Sequence, residues 1–159
     1  MKKAFTMIEL IFVIVILGIL AAVALPKFVG VASQAHEGNL KSFTGTLNRT
    51  VMPTLWSTSI SKGHHGSINY LDLEYNNGEG NITTYVDVPK EIAQIKLKDM
   101  NTSAFKVVAK ADSDVAGAKY YIACKDGNAN QSPVCHTYKV PDGGSEPNFG
   151  DENNSAPID

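Results

Sequence analysis

The chain has 159 residues, with 14 basic and 16 acidic side chains and a formal net charge of −2. This length predicts a single domain, and the balanced charge argues against a nucleic-acid-binding protein because it provides no basic field to attract phosphate. Hydrophobic residues make up 43% of the chain and are concentrated in residues 1–56, whereas the remainder is rich in Asn, Ser, Thr, Asp and Gly. The sequence therefore predicts a lipid-facing end and a solvated end.

The first predicted element is an apolar helix over residues 5–28, FTMIELIFVIVILGILAAVALPKF, which contains one carboxylate, Glu9. Residues 7–26 would cover about 30 Å as a helix, the thickness of a bilayer core. Lys2 and Lys3 precede it, and the positive-inside rule then places the N-terminus in the cytoplasm. Because an acid inside a membrane costs about 2.5–3.5 kcal/mol, Glu9 needs a partner.

Two ordinary interpretations of this segment stay open. A cleaved signal peptide would explain the basic start and the small-residue site Ala22-Val23-Ala24. A plain single-span anchor would explain the length. Neither interpretation gives Glu9 a partner, and the apolar pattern continues through Phe28 and Val31 instead of entering a loop.

The segment Ala4-Phe5-Thr6-Met7-Ile8-Glu9, followed by LIFVIVILGILAAVALPKF, resembles the class III signal of type IV pilins and type II secretion pseudopilins. The resemblance covers residues 1–35. It implies that a prepilin peptidase cleaves after Ala4, where the family usually has Gly, and methylates the new amine of Phe5.

The resemblance also assigns roles within the helix. It implies that Thr6 and Glu9 take part in assembly, with the Glu9 carboxylate paired to the N-terminal ammonium of a neighbouring subunit. Such pairing would neutralise the buried charge and set the axial offset between subunits. Gly18 and Pro26 match the positions of helix-softening residues. Snorkelling of Glu9 to the cytoplasmic headgroups is the alternative.

Beyond Pro26, apolar residues recur at spacings of three and four, which predicts that the helix resumes with one face packed on a soluble domain. These residues are Leu40, Phe43, Leu47, Val51 and Leu55. Pro53 is predicted to end or bend the helix near Trp56.

The soluble part is predicted to consist mainly of strands and loops. Residues 57–81 are Gly-rich and predict a loop with one ordered piece at residues 68–75. Residues 89–100 favour a short helix, with a strand as the alternative, and the tail from 141 to 159 is predicted to be extended and partly mobile. The predicted strands are Ile82–Val88, Phe105–Lys110, Ala118–Cys124 and Cys135–Val140, with a turn at 112–117 and a polar loop at 125–133.

A long helix followed by antiparallel strands predicts an α+β fold. The pilin resemblance implies the same architecture: a helix, half transmembrane and half amphipathic, packed on a small antiparallel sheet. The predicted divisions are a leader at 1–4, a transmembrane and assembly helix at 5–28, a periplasmic or extracellular domain at 29–140, and a flexible acidic tail at 141–159.

Two cysteines, Cys124 and Cys135, predict one disulfide formed outside the cytoplasm. Two reduced, buried thiols are the alternative. The pilin resemblance implies a C-terminal loop bounded by a disulfide, which this pair would match.

No P-loop, GxSxG, HExxH or GxGxxG pattern occurs, and the four histidines are scattered. The sequence therefore predicts a protein that is not an enzyme and holds no cofactor or metal. The exception considered is calcium, since hard oxygen ligands are available in the tail, although solvated acids are the favoured interpretation. The acids concerned are Asp142, Glu146, Asp151 and Glu152.

Asn81, Asn101 and Asn153 each begin an N-x-S/T triplet, and each has an acidic residue two positions before it. This arrangement resembles the extended acceptor site of some bacterial oligosaccharyltransferases. Chance occurrence in an Asn-rich chain is the favoured interpretation.

The predicted function is that of a structural subunit. It would be held in the inner membrane by one span, cleaved by the prepilin peptidase, and polymerised at an inner-membrane assembly platform with copies of itself or with other pilins or pseudopilins. The product would be a cell-surface pilus, favoured by the cysteines, or a periplasmic pseudopilus, favoured by the calcium argument. The alternative is a membrane-anchored periplasmic binding module that never polymerises.

Overall fold

A computed structural model of the protein describes residues 5–111, 118–141, 143–147, 149 and 156–159. One long helical element precedes an antiparallel sheet whose five strands follow one another in chain order. This confirms the predicted α+β fold. The helices are α1 (Met7–Thr46) and α2 (Met52–Ser61), and the strands are β1 (Glu74–Asn76), β2 (Ile92–Lys96), β3 (Lys106–Ala111), β4 (Ala118–Lys125) and β5 (Val134–Pro141).

The predicted apolar face of the helix forms one side of the core. All five of its residues are buried, from Leu40 to Leu55, and they belong to the same hydrophobic cluster as Tyr120 and Ile122 of β4. The part of α1 that precedes Leu40 contributes no residue to this cluster. The helix therefore has a sheet-covered half and a half that its own subunit leaves uncovered.

The prediction that the helix ends or bends near Trp56 is wrong in its end point, because α2 continues to Ser61. A widened π-helical turn at Leu47–Val51 joins α1 to α2, and the Met52 N–H donates to the Leu47 carbonyl. Pro53 consequently lies in the first turn of α2. A proline is tolerated there because its missing N–H needs no helical partner.

The π-helical turn carries the contact that fastens the helix to the sheet. The Asn48 Nδ2 donates to the Cys135 carbonyl at 2.7 Å, and the Cys135 N–H donates to the Asn48 Oδ1 at 2.8 Å. β5 is the last strand of the sheet, so these backbone groups face away from β4. The Asn48 amide replaces a neighbouring strand at this position.

The predicted strand at Ile82–Val88 is wrong. Residues 81–84 form a 3₁₀ helix, and only Ile82 among them is buried. The Asn81 amide sets this turn, since it accepts from the Glu74 N–H at 2.8 Å and donates to the Asp72 carbonyl at 3.0 Å. Residues 85–88 alternate between exposed and half-buried, with Val86 and Val88 packed against the core, but they pair with no strand among the described residues.

The helix favoured at 89–100 is also wrong, and the strand alternative holds over Ile92–Lys96, before a 3₁₀ turn at Leu97–Asp99. A register shift against β3 lies between Ile92 and Gln94. Such a bulge adds one residue to the strand, so Ile92 and Ile95 both enter the core although they are three apart.

The remaining strand predictions agree closely with β3, β4 and β5, and the predicted loop 125–133 joins the last two. β1 lies at the end of the ordered piece predicted at 68–75. The predicted turn at 112–117 lies outside the described residues.

The described end of the predicted flexible tail is attached to the sheet. The Ile158 N–H donates to the Thr137 carbonyl at 2.9 Å, and Pro157 forms a bridge with Tyr138 of β5. The Asp159 carboxylate accepts from the Thr137 N–H at 3.2 Å and lies 3.1 Å from His136. This short segment covers part of the outer edge of β5.

We expect Asn48→Ala to lower the free energy of unfolding by about 2 kcal/mol, because it leaves two backbone groups of Cys135 without partners. Thermal unfolding of the full chain in detergent, followed by circular dichroism, measures the change. The matched control is Asn130→Ala, since Asn130 is exposed and its side chain bonds no described residue. Equal stability of the two variants would contradict the role of Asn48.

Candidate assembly surface

The first turn of α1 is closed by a local hydrogen bond between Thr6 and Glu9. Thr6 is the extended N-cap, and its Oγ1 accepts from the Glu9 N–H at 3.3 Å. The Thr6 hydroxyl also lies 3.5 Å from the Glu9 Oε2. The order Thr-x-x-Glu at a helix start is the sequence pattern of a capping box, of which the bond from the Glu9 N–H to the Thr6 hydroxyl is formed. This role was not predicted above, although the spacing of the two residues in the sequence indicates it.

The Glu9 carboxylate is placed at the start of the helix and remains available to a partner. A carboxylate in the first turn is favoured by the positive end of the helix dipole. Glu9 is exposed, and no Lys, Arg or His among the described residues forms an ion pair with it. Ala4 lies outside the described residues, and Phe5, the predicted first residue of the mature chain, is 80% exposed.

The apolar half of α1 presents a long hydrophobic surface. By length and composition, one helix of the described chain, Met7–Ser61, could cross a membrane, and none of its most apolar stretch is buried. Soluble proteins rarely expose such a surface unless lipid or another protein covers it. The exposed large side chains include Met7, Ile8, Leu10, Phe12, Leu17, Ile19, Leu20, Val23, Leu25 and Phe28.

Gly18 and Pro26 both lie inside α1, which is continuous through them. A Cβ built on Gly18 would meet no atom within 4 Å. Packing within the subunit therefore does not require glycine at this position. The helix-softening roles of Gly18 and Pro26 stay predictions.

Two groups of polar residues fix α1 where it leaves the apolar half. The Glu37 carboxylate pairs with Lys41 at 3.1 Å and with Lys139 of β5 at 3.0 Å, and it accepts from the Tyr120 hydroxyl at 3.2 Å. The hydrogen bond from Lys139, followed by that from Lys41, lowers the pKa of the Glu37 carboxyl. On the neighbouring face of α1, the His36 Nδ1 lies 2.8 Å from the Glu91 Oε1.

Closer to the C-terminal end of α1, a buried hydrogen bond adds specificity to the packing of the helix on β5. The hydroxyls of Thr44 in α1 and Thr137 in β5 are 2.8 Å apart and fully buried. Each satisfies the other, which avoids the cost of an unpaired polar group in the core. Together with Asn48, this pair defines how the helix lies on β5.

The disulfide between Cys124 and Cys135 is present and confirms the prediction. The two cysteines are fully buried and lie directly opposite each other on β4 and β5. The bond therefore lies inside the sheet, and the loop that it closes projects beyond the ends of the two strands.

The loop between β4 and β5 is also bound to the end of α2. The Trp56 Nε1 donates to the Asn128 carbonyl at 2.8 Å, and the buried Asp126 carboxylate accepts from the Ile68 N–H at 2.9 Å. Gly66 adopts a φ of +83°, and a Cβ there would collide with the Asn128 carbonyl. The far end of the molecule is thus a closely packed junction of three segments.

Of the four acids considered as calcium ligands, one, Glu146, lies in the part of the chain that the structure describes. Within it, no group of three or more His, Cys, Asp and Glu side chains could hold a metal ion. Glu146 forms an ion pair with Lys110, whereas Asp142, Asp151 and Glu152 lie outside the described residues. His64 stacks on Tyr70, with ring centroids 3.7 Å apart.

Comparisons with known proteins identify the N-terminal segment. Residues 1–25 match the family described as the prokaryotic N-terminal methylation motif. The chain is 55% identical over 38 residues to the type IV narrow pilus major component PilA5 of Thermus thermophilus. This match covers 24% of the chain and 33%, about one third, of that protein. No solved structure matches significantly.

These matches confirm the resemblance to type IV pilins and give the chain a prepilin-type start. The family match ends at residue 25, well before the sheet. The pilin-like arrangement of the remainder comes from the fold, in which one long helix packs on an antiparallel sheet.

We expect Glu37→Gln to lower the free energy of unfolding by about 0.5–1 kcal/mol at neutral pH, since the two lysines lose their ion pair. Because the folded pKa of Glu37 is lowered, its contribution is present above the unfolded value, near 4.5, and is lost as pH falls through the folded value. The difference in the free energy of unfolding between wild type and variant should therefore vanish in acid. Denaturant unfolding in detergent at several pH values measures it.

Glu79→Gln is the matched control, because Glu79 is exposed and forms no ion pair among the described residues. If the variant Glu37→Gln has the same lowered free energy of unfolding in acid as at neutral pH, the ion pair is not the cause of the difference.

Proposed function

We propose that this chain is the precursor of a filament subunit that is cleaved after Ala4, methylated at Phe5 and polymerised through α1. The observation that carries the proposal is a prepilin methylation motif at the start of a helix whose apolar half has no partner in its own subunit. In this proposal, residues 1–4 are the leader, 5–28 span the membrane before assembly, and 29–140 form the domain outside the cytoplasm.

The apolar half of α1 requires a cover both before and after assembly. In the membrane, the lipid tails provide it. A subunit that leaves the bilayer for a filament must replace those contacts, and the equivalent helices of neighbouring subunits supply a surface of the same chemistry and length. The filament core is then a bundle of apolar helices, with the sheets on the outside.

In the filament core, Glu9 would lie in surroundings of low dielectric constant. A charge there is tolerated only when it is paired, and removal of one partner of a buried ion pair costs about 3–5 kcal/mol. Cleavage before Phe5 creates an ammonium group of the required charge at the same end of the helix. The pairing of Glu9 with the ammonium of a neighbour would also fix the axial offset between subunits.

The contacts of the outer half suit a structural role rather than a catalytic one. Ion pairs at Glu37, the hydroxyl pair of Thr44 and Thr137 and the amide contact of Asn48 fix β5 to the helix at three heights, and the disulfide joins β5 to β4. Force applied to the helix would reach the sheet through these contacts. Among the filaments of this family, a cell-surface pilus is favoured by the buried disulfide and by the likeness to a subunit named as a pilus component.

One observation favours the second candidate, a membrane-anchored binding module that does not polymerise. The helix start gives the Glu9 carboxylate a role inside its own subunit, because its Oε2 lies 3.5 Å from the Thr6 hydroxyl, which can donate to it. If capping were the whole role of Glu9, no neighbouring ammonium would be required.

Glu9→Gln separates these two roles, since glutamine occupies the same position of a capping box but carries no charge. We expect both Glu9→Gln and Glu9→Ala to insert into the membrane normally and to form no filaments. Electron microscopy of sheared surface fibres measures assembly, and membrane fractionation measures insertion. Normal fibres from Glu9→Gln would refute the ion pair. Glu37→Gln serves as the control, because it leaves the apolar half of α1 unchanged.

Intact-mass measurement of the protein from its own cells tests processing. We expect a chain that begins at Phe5 and carries one methyl group on its amine. A variant with Ala4→Gly should be processed at least as fast, because glycine is the usual residue of the family at this position. A full-length chain that begins at Met1 would contradict the proposed function.

A further inference from the structure

The N-x-S/T triplets of this chain have an unusual distribution of neighbouring acids. Five such triplets occur, and three of them have Asp or Glu two positions earlier, although acids make up only 16 of 159 residues. The triplets begin at Asn48, Asn81, Asn101, Asn130 and Asn153. The N-x-S/T pattern is the acceptor for N-linked sugars, and an additional acid at this position suits a transferring enzyme that binds it with a cation.

Hydrogen bonding removes two of the five asparagines as acceptors in the folded protein. The Nδ2 of Asn48 donates to the Cys135 carbonyl, and that of Asn81 donates to the Asp72 carbonyl at 3.0 Å. The nitrogen that would receive the sugar is therefore already used to hold the fold. Asn153 lies outside the described residues.

In Asn101, the side-chain oxygen is bonded to the fold instead of the side-chain nitrogen. Its Oδ1 accepts from the N–H groups of Ser103 at 2.9 Å and Ala104 at 2.8 Å, so the oxygen is held against the loop. No described residue bonds its Nδ2. Since Tyr70 Oη is the one buried side-chain polar atom without a partner among the described residues, the Nδ2 of Asn101 reaches solvent.

Met100, directly before Asn101, is buried in the core, whereas the other flanking residues of the triplet are accessible. Thr102 and Ser103 are exposed, and so is Asp99, which stands two positions before the asparagine. The neighbouring Lys98 pairs with Asp72 and Glu74 instead of Asp99. The Asp99 carboxylate is therefore free of any ion pair with the described residues.

We propose that Asn101 is a site of N-linked glycosylation, modified outside the cytoplasm by an oligosaccharyltransferase that binds the Asp99 carboxylate. The donor is an oligosaccharide on a polyprenyl diphosphate. The Asn101 Nδ2 attacks C1 of the first sugar, so that an N–C bond forms and the C1–O bond to diphosphate breaks. The polyprenyl diphosphate leaves with the electron pair, and the amide loses one proton to a base of the enzyme.

The site lies far from the surface proposed for helix packing. The Asn101 carbonyl accepts from the Asp126 N–H at 2.8 Å, at the junction where the neighbouring Asn128 binds Trp56. The helix rises about 40 Å between residues 28 and 56. A sugar at Asn101 would thus project from the membrane-distal end and leave assembly free. The inference rests on the proposed function only for the placement of this loop outside the cytoplasm.

A single tryptic digest of the protein from its own cells tests the proposal, because the five asparagines fall on different peptides. Asn101 lies within residues 99–106, Asn81 within 63–90 and Asn130 within 126–139. We expect mass spectrometry to find a glycan on the first of these peptides. Asn130 is the internal control, since it is exposed but has no acid two positions before it.

The variant Asp99→Asn should reduce glycan occupancy at Asn101 by about tenfold or more, through loss of the charge that the enzyme binds, and Asn101→Gln should abolish it. An unmodified 99–106 peptide would overturn the proposal. Equal modification of Asn130, full occupancy in Asp99→Asn, or a glycan on Asn81 in its place would do the same. The mass of the mature N-terminus, measured on the same sample, reports separately on the proposed function.

Discussion

The structure depends on one constraint: the apolar half of α1 has no partner among the described residues of its own subunit. The apolar face of the helix from Leu40 onward is covered by the sheet, whereas the large side chains between Met7 and Phe28 are exposed. One half of the helix therefore belongs to a folded domain, and its apolar half is uncovered. Whatever covers the apolar half, whether lipid or other copies of the chain, determines where the domain is placed. The rest of the fold keeps the sheet at a fixed position on that helix.

The contacts between helix and sheet follow a consistent pattern along the axis. Exposed ion pairs at Glu37 lie nearest the apolar half, the buried Thr44–Thr137 pair follows, and the amide of Asn48 comes next. Individually exposed ion pairs contribute little, but the buried and bidentate contacts leave unsatisfied groups when broken. β5 is thus held by the helix on one side and by β4, including the disulfide, on the other. The same strand also accepts the end of the chain at Ile158.

Glu9 combines a local role at the start of the helix with a proposed role between subunits. Its backbone N–H is bound by Thr6, which starts the helix at a defined residue, while its carboxylate lies in the first turn without an ion pair among the described residues. A well-defined helix start is a requirement for any pairing that depends on axial offset, because fraying would move the charge. The local cap and the proposed contact between subunits therefore support each other.

The sequence by itself determined the features that depend on local pattern. The apolar run with one acid, the periodic face from Leu40 to Leu55 and the pairing of two cysteines follow from period, length and count, and so does the α+β class. Tertiary structure decided the features in which a distant contact overrides the local pattern. The bulge in β2 lets Ile92 and Ile95 share the core, and the Asn81 amide makes a turn of a segment with strand composition. The π-helical turn before Pro53 extends the helix, because long-range contacts such as that of Asn48 with Cys135 satisfy backbone groups that no pattern in the chain reveals.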